Sequence, residues 1–186
     1  GDIEAVGDPG DLPGADGELD ASGGLVIPGL VNAHTHVAMT LLRGYADDKP
    51  LDRWLQEDIW PVEAELGPED VRTGAELGLV EMIKSGTTAF SDMYFHVDAI
   101  ADAVERAGLR AVLGHTGLTV GKDDQAASQD MRRSLDTARD LDARAAGRIT
   151  GTFQPHSLTT VGERYLREYA PTANEAGLPI HAHANE

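Results

Sequence analysis

Strand-like and helix-like segments alternate along almost the whole chain, and nothing else in the sequence restricts its fold so tightly. After Gly24 the stretch "LVIPGLVNAHTH" is apolar, rich in β-branched residues and bounded by glycine and polar residues, which predicts a buried strand. "PLDRWLQEDIWPVEAEL" has helical spacing broken near Pro61. "GPEDVRTGAELGLVEMIKSG" predicts a cleaner helix, with Pro68 in its first turn and Gly86 past its end. "TTAFSDMYF" reads as a second strand, "VDAIADAVERAG" as an amphipathic helix closed by Gly108, and "LRAVLGH" as a third strand. A polar helix from about Asp124 to Ala146 leads to the strand "RITGTFQPH", then to the helical "GERYLREYAPTANEAG", interrupted at Pro171, and finally to the strand "LPIHAHANE". Such alternation predicts a parallel sheet with helical crossovers, either doubly wound or closed as a (β/α) barrel.

The strand ends separate those two folds. All seven histidines sit at or just past the carboxyl end of a predicted strand: His34 and His36, His96, His115, His156, and His181 with His183. In a barrel these ends converge on one mouth, where active sites are built. A doubly wound sheet gathers ligands only at its switch point. No GxGxxG or GxxxxGK[ST] follows any strand, so nucleotide phosphate binding of those kinds has no support. Within a strand, residues i and i+2 share a face, so His34 and His36 project side by side and can grip one metal ion. The plainer alternative is a strand end carrying two exposed histidines. His181 and His183 share a face in the same way, and His181 reads as a satisfied core histidine. Asp92 is placed for a strand-end hydrogen bond. Trp54 and Trp60 read as core aromatics or as a cover for a flat ligand.

Composition narrows the partners. The 186 residues include no cysteine, which removes disulfides and thiol chemistry and fits a cytoplasmic protein. A net charge of −17, from 32 acidic against 15 basic residues, argues against nucleic acid and anionic membrane surfaces. No apolar run approaches the roughly 18 to 20 residues of a membrane span. Only Lys49, Lys84 and Lys122 are lysine, and an acid-rich, lysine-poor surface suits a salt-saturated cytoplasm; a merely acidic mesophilic enzyme is the alternative. The chain begins at Gly1 in an acidic, Gly/Pro-rich stretch and stops at Glu186 straight after a strand-like run, so a piece of a longer protein is expected.

The motifs "VIPGLVNAHTHVAMTLLRG", "GTTAFSDMYFH", "QPHS" and "HAHANE" together resemble the amidohydrolase superfamily, in its branch of S-adenosylhomocysteine/methylthioadenosine deaminases and chlorohydrolase-like enzymes. The resemblance implies a TIM-like (β/α)8 barrel of the metal-dependent hydrolase type. About its first five βα units fall in residues 25–186, preceded over 1–24 by a remnant of a small β domain and a linker. It also implies one divalent metal, zinc or else iron, held by His34, His36 and His183. By the same resemblance Glu186 is the proton shuttle, Glu63 holds ribose hydroxyls and His156 contacts substrate. The implied reaction is hydrolytic deamination of an adenosine-type thioether nucleoside (S-adenosylhomocysteine, 5'-methylthioadenosine or 5'-deoxyadenosine) in a cytoplasmic homo-oligomer. Hydrolysis of guanine, cytosine or chlorotriazine rings is the alternative within the superfamily, and an inactive metal-binding or assembly fragment is the alternative outside it. Two family elements, a histidine after strand six and an aspartate after strand eight, do not occur in this chain, so by itself it is expected to be inactive. His115 stands where relatives place a substrate-contacting arginine.

Overall fold

A computed structural model describes residues 3–184 of the chain. Before the first strand the described residues form one 3-10 turn, Pro9–Asp11, and no strand. β1 (Leu30–Thr35) runs into a 3-10 turn, Val37–Leu42. α1 (Leu51–Trp54) then continues through a π turn, Leu55–Ile59, into α2 (Trp60–Glu63). The helical run is therefore not broken at Pro61. Proline cannot donate a backbone hydrogen bond and its ring crowds the carbonyl four residues back; the turn before it is widened instead, with the Trp60 N–H reaching Leu55 O.

The remaining order is α3 (Pro68–Ser85), β2 (Thr87–Asp92), α4 (Val97–Ala107), β3 (Arg110–Leu113), β4 (Thr116–Gly117), α5 (Asp124–Leu141), α6 (Arg144–Gly147), β5 (Ile149–Gly151), β6 (Gln154–Pro155) and α7 (Glu163–Glu175). α3 and α4 end as expected, on Gly86 and Gly108 with left-handed φ of 82° and 80°, a conformation that costs glycine little. The polar helix stops at Leu141 rather than near Ala146, because Asp142 is extended and Ala143, Ala145 and Ala146 take positive φ. Pro171 does not interrupt α7. It sits exposed inside a continuous helix whose other face buries Tyr165, Tyr169 and Ala173.

All pairings are parallel. The main sheet has the order β1-β2-β3-β5, and β4 pairs with β6. Beyond them Phe153 bridges Ile180 and Ser157 bridges His183, so the fifth strand is reduced to isolated bridges within the described residues. Neighbours in space thus follow chain order with no reversal, the winding of a barrel and not of a doubly wound sheet.

Helices cover one face of this sheet. One apolar cluster joins Val71, Ala75 and Leu79 of α3, Ile100 and Val104 of α4, and Phe90, Leu113 and Ile149 of the strands. A second joins Met131 and Leu135 of α5, Tyr165 and Tyr169 of α7, and Phe153. The expected buried first strand is the main departure. Leu25, Val26 and Ile27 precede the strand, and Leu30 and Val31 within it are 53% and 69% exposed. β1 is the sheet's edge, paired on one side only among the described residues, and no packed layer covers its exposed Leu30 and Val31. No helix among the described residues is long and apolar enough to cross a membrane.

Candidate metal centre

β1 delivers two imidazoles to the carboxyl end of the sheet. Its register against β2 slips between Asn32 and Thr35, where one extra residue is accommodated; such a bulge re-aims the side chains beside it. His34 and His36 emerge there with ring centroids 5.1 Å apart. His183, fixed by its bridge to Ser157 and by its N–H donating to His156 O at 2.8 Å, lies 5.2 Å from each of them. One ring nitrogen from each of the three falls within 4.8 Å of the others, close enough to share one ion. His34 is exposed and the other two are half-buried, so solvent reaches the cluster. These are the residues the resemblance implied as ligands, and the fold brings them together from opposite ends of the chain.

The surroundings orient the rings. His36 Nδ1 lies 2.5 Å from Met93 O, so Nδ1 carries the proton and Nε2 is the nitrogen able to bind a metal. His183 Nδ1 is 3.2 Å from His156 O. An all-imidazole donor set of this spacing suits a divalent first-row ion, zinc among them.

His156 packs its ring 4.8 Å from that of His183, while its Nδ1 is 2.8 Å from Thr160 Oγ1. It belongs to the cluster's rim. Glu63 ends α2, and burial raises its carboxyl above the usual carboxylate range, against the opposing effect of the Tyr94 hydroxyl. Tyr94 in turn places its ring 6.4 Å from that of His36. Glu186 lies outside the described residues.

The other histidines are accounted for without a metal. His181 Nδ1 is 3.3 Å from Ser91 Oγ and 3.4 Å from Gln154 Nε2, and burial, then the neighbouring His183, His34 and His36, pulls its pKa down. His96 caps α4 and meets Leu66 O at 3.1 Å. His115 is buried and turned toward α5, with Nε2 2.9 Å from Asp130 Oδ1. Trp54 donates to Ala46 O at 3.0 Å, and Trp60 is 42% exposed.

Two acids escaped the sequence reading in part. Asp92 does make a strand-end hydrogen bond, accepting from Val37 N at 2.8 Å; its complete burial was not foreseen. Burial pushes its pKa up to about 7, although the Val37 and Met93 amides favour the charged form. Asp130, in a helix that reads only as polar, gave no signal as the partner of His115.

The chain matches the amidohydrolase family over residues 25–186. It is 74% identical over 186 residues to a 5-methylthioadenosine/S-adenosylhomocysteine deaminase of Haloarcula marismortui, covering 100% of this chain and 43% of that protein. It is 46% identical over 185 residues to a 5'-deoxyadenosine deaminase of Methanothermobacter thermautotrophicus, covering 100% of this chain and 42% of that one. The chain therefore spans about two fifths of the length of these curated relatives. Among solved structures it resembles an adenosine deaminase of Xanthomonas campestris with bound zinc, with a TM-score of 0.74 and 38% identity over 84% of this chain and 36% of that one.

Proposed function

The chain belongs to the amidohydrolase family, and we propose that the full-length protein is a metal-dependent hydrolytic deaminase of adenosine-type thioether nucleosides, with 5'-methylthioadenosine, S-adenosylhomocysteine and 5'-deoxyadenosine as its substrate class. The observation that carries the reading is the triangle of His34, His36 and His183 at the mouth of parallel strands laid down in chain order. The two curated relatives described above, at 74% and 46% identity, are both named as deaminases of adenosine-type nucleosides, which supports that substrate class over bare bases or triazines.

His34, His36 and His183 would hold the ion, zinc in preference to iron. Bound there, a divalent metal supplies a water whose pKa falls from about 15.7 to about 7. Adenine is a poor electrophile until a ring nitrogen is protonated, so an acid must deliver that proton; Glu186, three residues past His183, takes this role. Glu63 binds the ribose hydroxyls from the end of α2, and His156 contacts the substrate beside His183. Residues 1–24 belong to a small β domain outside the barrel. The reading extends to a cytoplasmic homo-oligomer, and a cysteine-free sequence is compatible with a reducing compartment.

The test uses the full-length protein. It should contain about one zinc or iron per chain and release ammonia from 5'-methylthioadenosine or S-adenosylhomocysteine. His34→Ala and His36→Ala should each lose the metal by elemental analysis. Glu186→Gln should keep the metal and lose about 10²- to 10⁴-fold in turnover. Unchanged metal content in both histidine variants sinks the metal site, and full activity in Glu186→Gln sinks the proton role.

A further inference from the structure

His36 stands where β1 leaves the sheet, and three contacts pin that junction. The Met93 N–H donates to Thr35 O at 3.3 Å, just before His36. Met93 O takes the imidazole Nδ1 itself. Just after His36, the Val37 N–H opens the 3-10 turn Val37–Leu42 and so has no partner within that turn; Asp92 Oδ1 accepts it at 2.8 Å. Asp92 is the sheet partner of Thr35, so the acid stands directly across from the point where the chain turns.

Asp92 is an expensive residue for a simple cap. It is 1% exposed, and its second oxygen, Oδ2, is buried without a hydrogen bond among the described residues. A shorter neutral acceptor could take the Val37 N–H without burying a carboxyl group. Its own backbone is held in turn, because Asp92 O accepts from Gln154 Nε2 at 2.8 Å, and Gln154 is itself fully buried. A rigid path of buried groups thus runs from β6 through Asp92 to the residue that follows His36.

We propose that Asp92 is a positioning residue for the metal centre: by holding the Val37 N–H it fixes the backbone at His36, so that the Nε2 of that ring meets the ion in the same place as the nitrogens of His34 and His183. The inference rests on those three histidines being the metal ligands. Groups that orient a metal's ligands set affinity without touching the ion, and their loss typically costs about 10- to 100-fold in binding.

The experiment measures zinc affinity of the full-length protein by competition with a chromophoric chelator, alongside the melting temperature of the metal-free form. Asp92→Leu fills the space but offers no acceptor, and should weaken zinc binding about 10- to 100-fold. Asp92→Asn keeps an oxygen for the Val37 N–H and should stay within about threefold of the parent, a rescue specific to the acceptor role. Met131→Ala, in the core between α5 and α7, should lower the melting temperature and leave zinc affinity unchanged. Parent-like affinity in Asp92→Leu overturns the proposal, and so does an equal loss in Met131→Ala. If Asp92→Leu does not fold, Asp92→Asn decides alone, since a tenfold loss there shows that the acceptor is not what matters. A parent protein that binds no zinc refutes the metal-site reading instead, and the two failures are told apart by that first titration.

Discussion

Asp130 gathers three donors on one carboxylate: His115 Nε2 at 2.9 Å and Lys122 Nζ at 2.7 Å from its neighbours, and the Leu118 N–H at 2.9 Å. Burial works against the charge, but these hydrogen bonds outweigh it and hold the carboxyl well below the usual range. A depressed carboxyl contributes stability above its unfolded pKa and loses it as the pH falls through that value toward the folded one. Asp130→Asn should therefore destabilise the full-length protein by about 1 to 3 kcal/mol at pH 7. The gap to the parent should close as the pH drops below about 4, which chemical denaturation at pH 7 and pH 3 measures. A gap that stays constant with pH would mean that the charge is not what the three donors recognise. Single residues were unevenly legible. His34 and His36 could be read as a pair because spacing by two on a strand is a local rule. His183 needed the family motif, for nothing in "HAHANE" alone says that it meets a strand nearly 150 residues earlier. The tie between His115 and Asp130 was invisible, since it depends on how α5 is rotated over the sheet.

The 3-10 turn Val37–Leu42, which follows the strand of His34 and His36, packs on α3, and at two points it lies so close that α3 presents only glycine, Gly74 and Gly78. A Cβ on Gly74 would collide with Ala38 O and crowd Leu41, and one on Gly78 would collide with Val37. Thr40 Oγ1 ties the turn down by donating to Gly74 O at 2.6 Å. Because Ala38 O is backbone, it cannot swing aside as a flexible side chain would. Gly74→Ala should thus push the turn outward, costing about 1 to 3 kcal/mol of stability, and should also weaken zinc binding because the displaced segment begins one residue after His36. Melting temperature and chelator competition on the same full-length variant check both effects; a fall in stability with unchanged affinity would show that the turn and the ligand move independently. At this scale the alternation of strands and helices was legible, and so were the ends of α3 and α4, because Pro68, Gly86 and Gly108 act on the backbone locally. Burial of β1 was not, since it depends on what lies against the strand and not on the strand's own apolar residues. Nor were the widened turn before Pro61 and the uninterrupted α7, because the presence of proline does not by itself say whether a helix stops or adjusts around it.

Over the whole molecule, charge is the dominant feature that no single contact explains. The excess of acidic over basic residues leaves a net charge of −17, and the ion pairs that do form, such as Arg43 with Glu81 and Arg167 with Glu163, are largely exposed. Salt acts on these two populations in opposite directions. It weakens each exposed pair, worth about 0 to 1 kcal/mol, and it relieves the mutual repulsion of all the unpaired carboxylates at once. The second effect should win here, because repulsion sums over the whole surface of excess carboxylates while each exposed pair is individually weak. Several relatives, including that of Haloarcula marismortui and one of Halobacterium salinarum, come from halophilic organisms, in keeping with the acid-rich, lysine-poor sequence. The melting temperature of the full-length protein should therefore climb from 0.1 M to molar KCl, as the screening length shrinks from about 10 Å to about 3 Å. Sucrose at matched osmolality separates the causes: it strengthens burial by exclusion from the surface but screens nothing, so it should reproduce only a small part of the gain. A melting temperature that is flat or falling in KCl, or a rise matched in full by sucrose, would mean that the acidic surface is not held together by screening, and the metal centre would be untouched by that result.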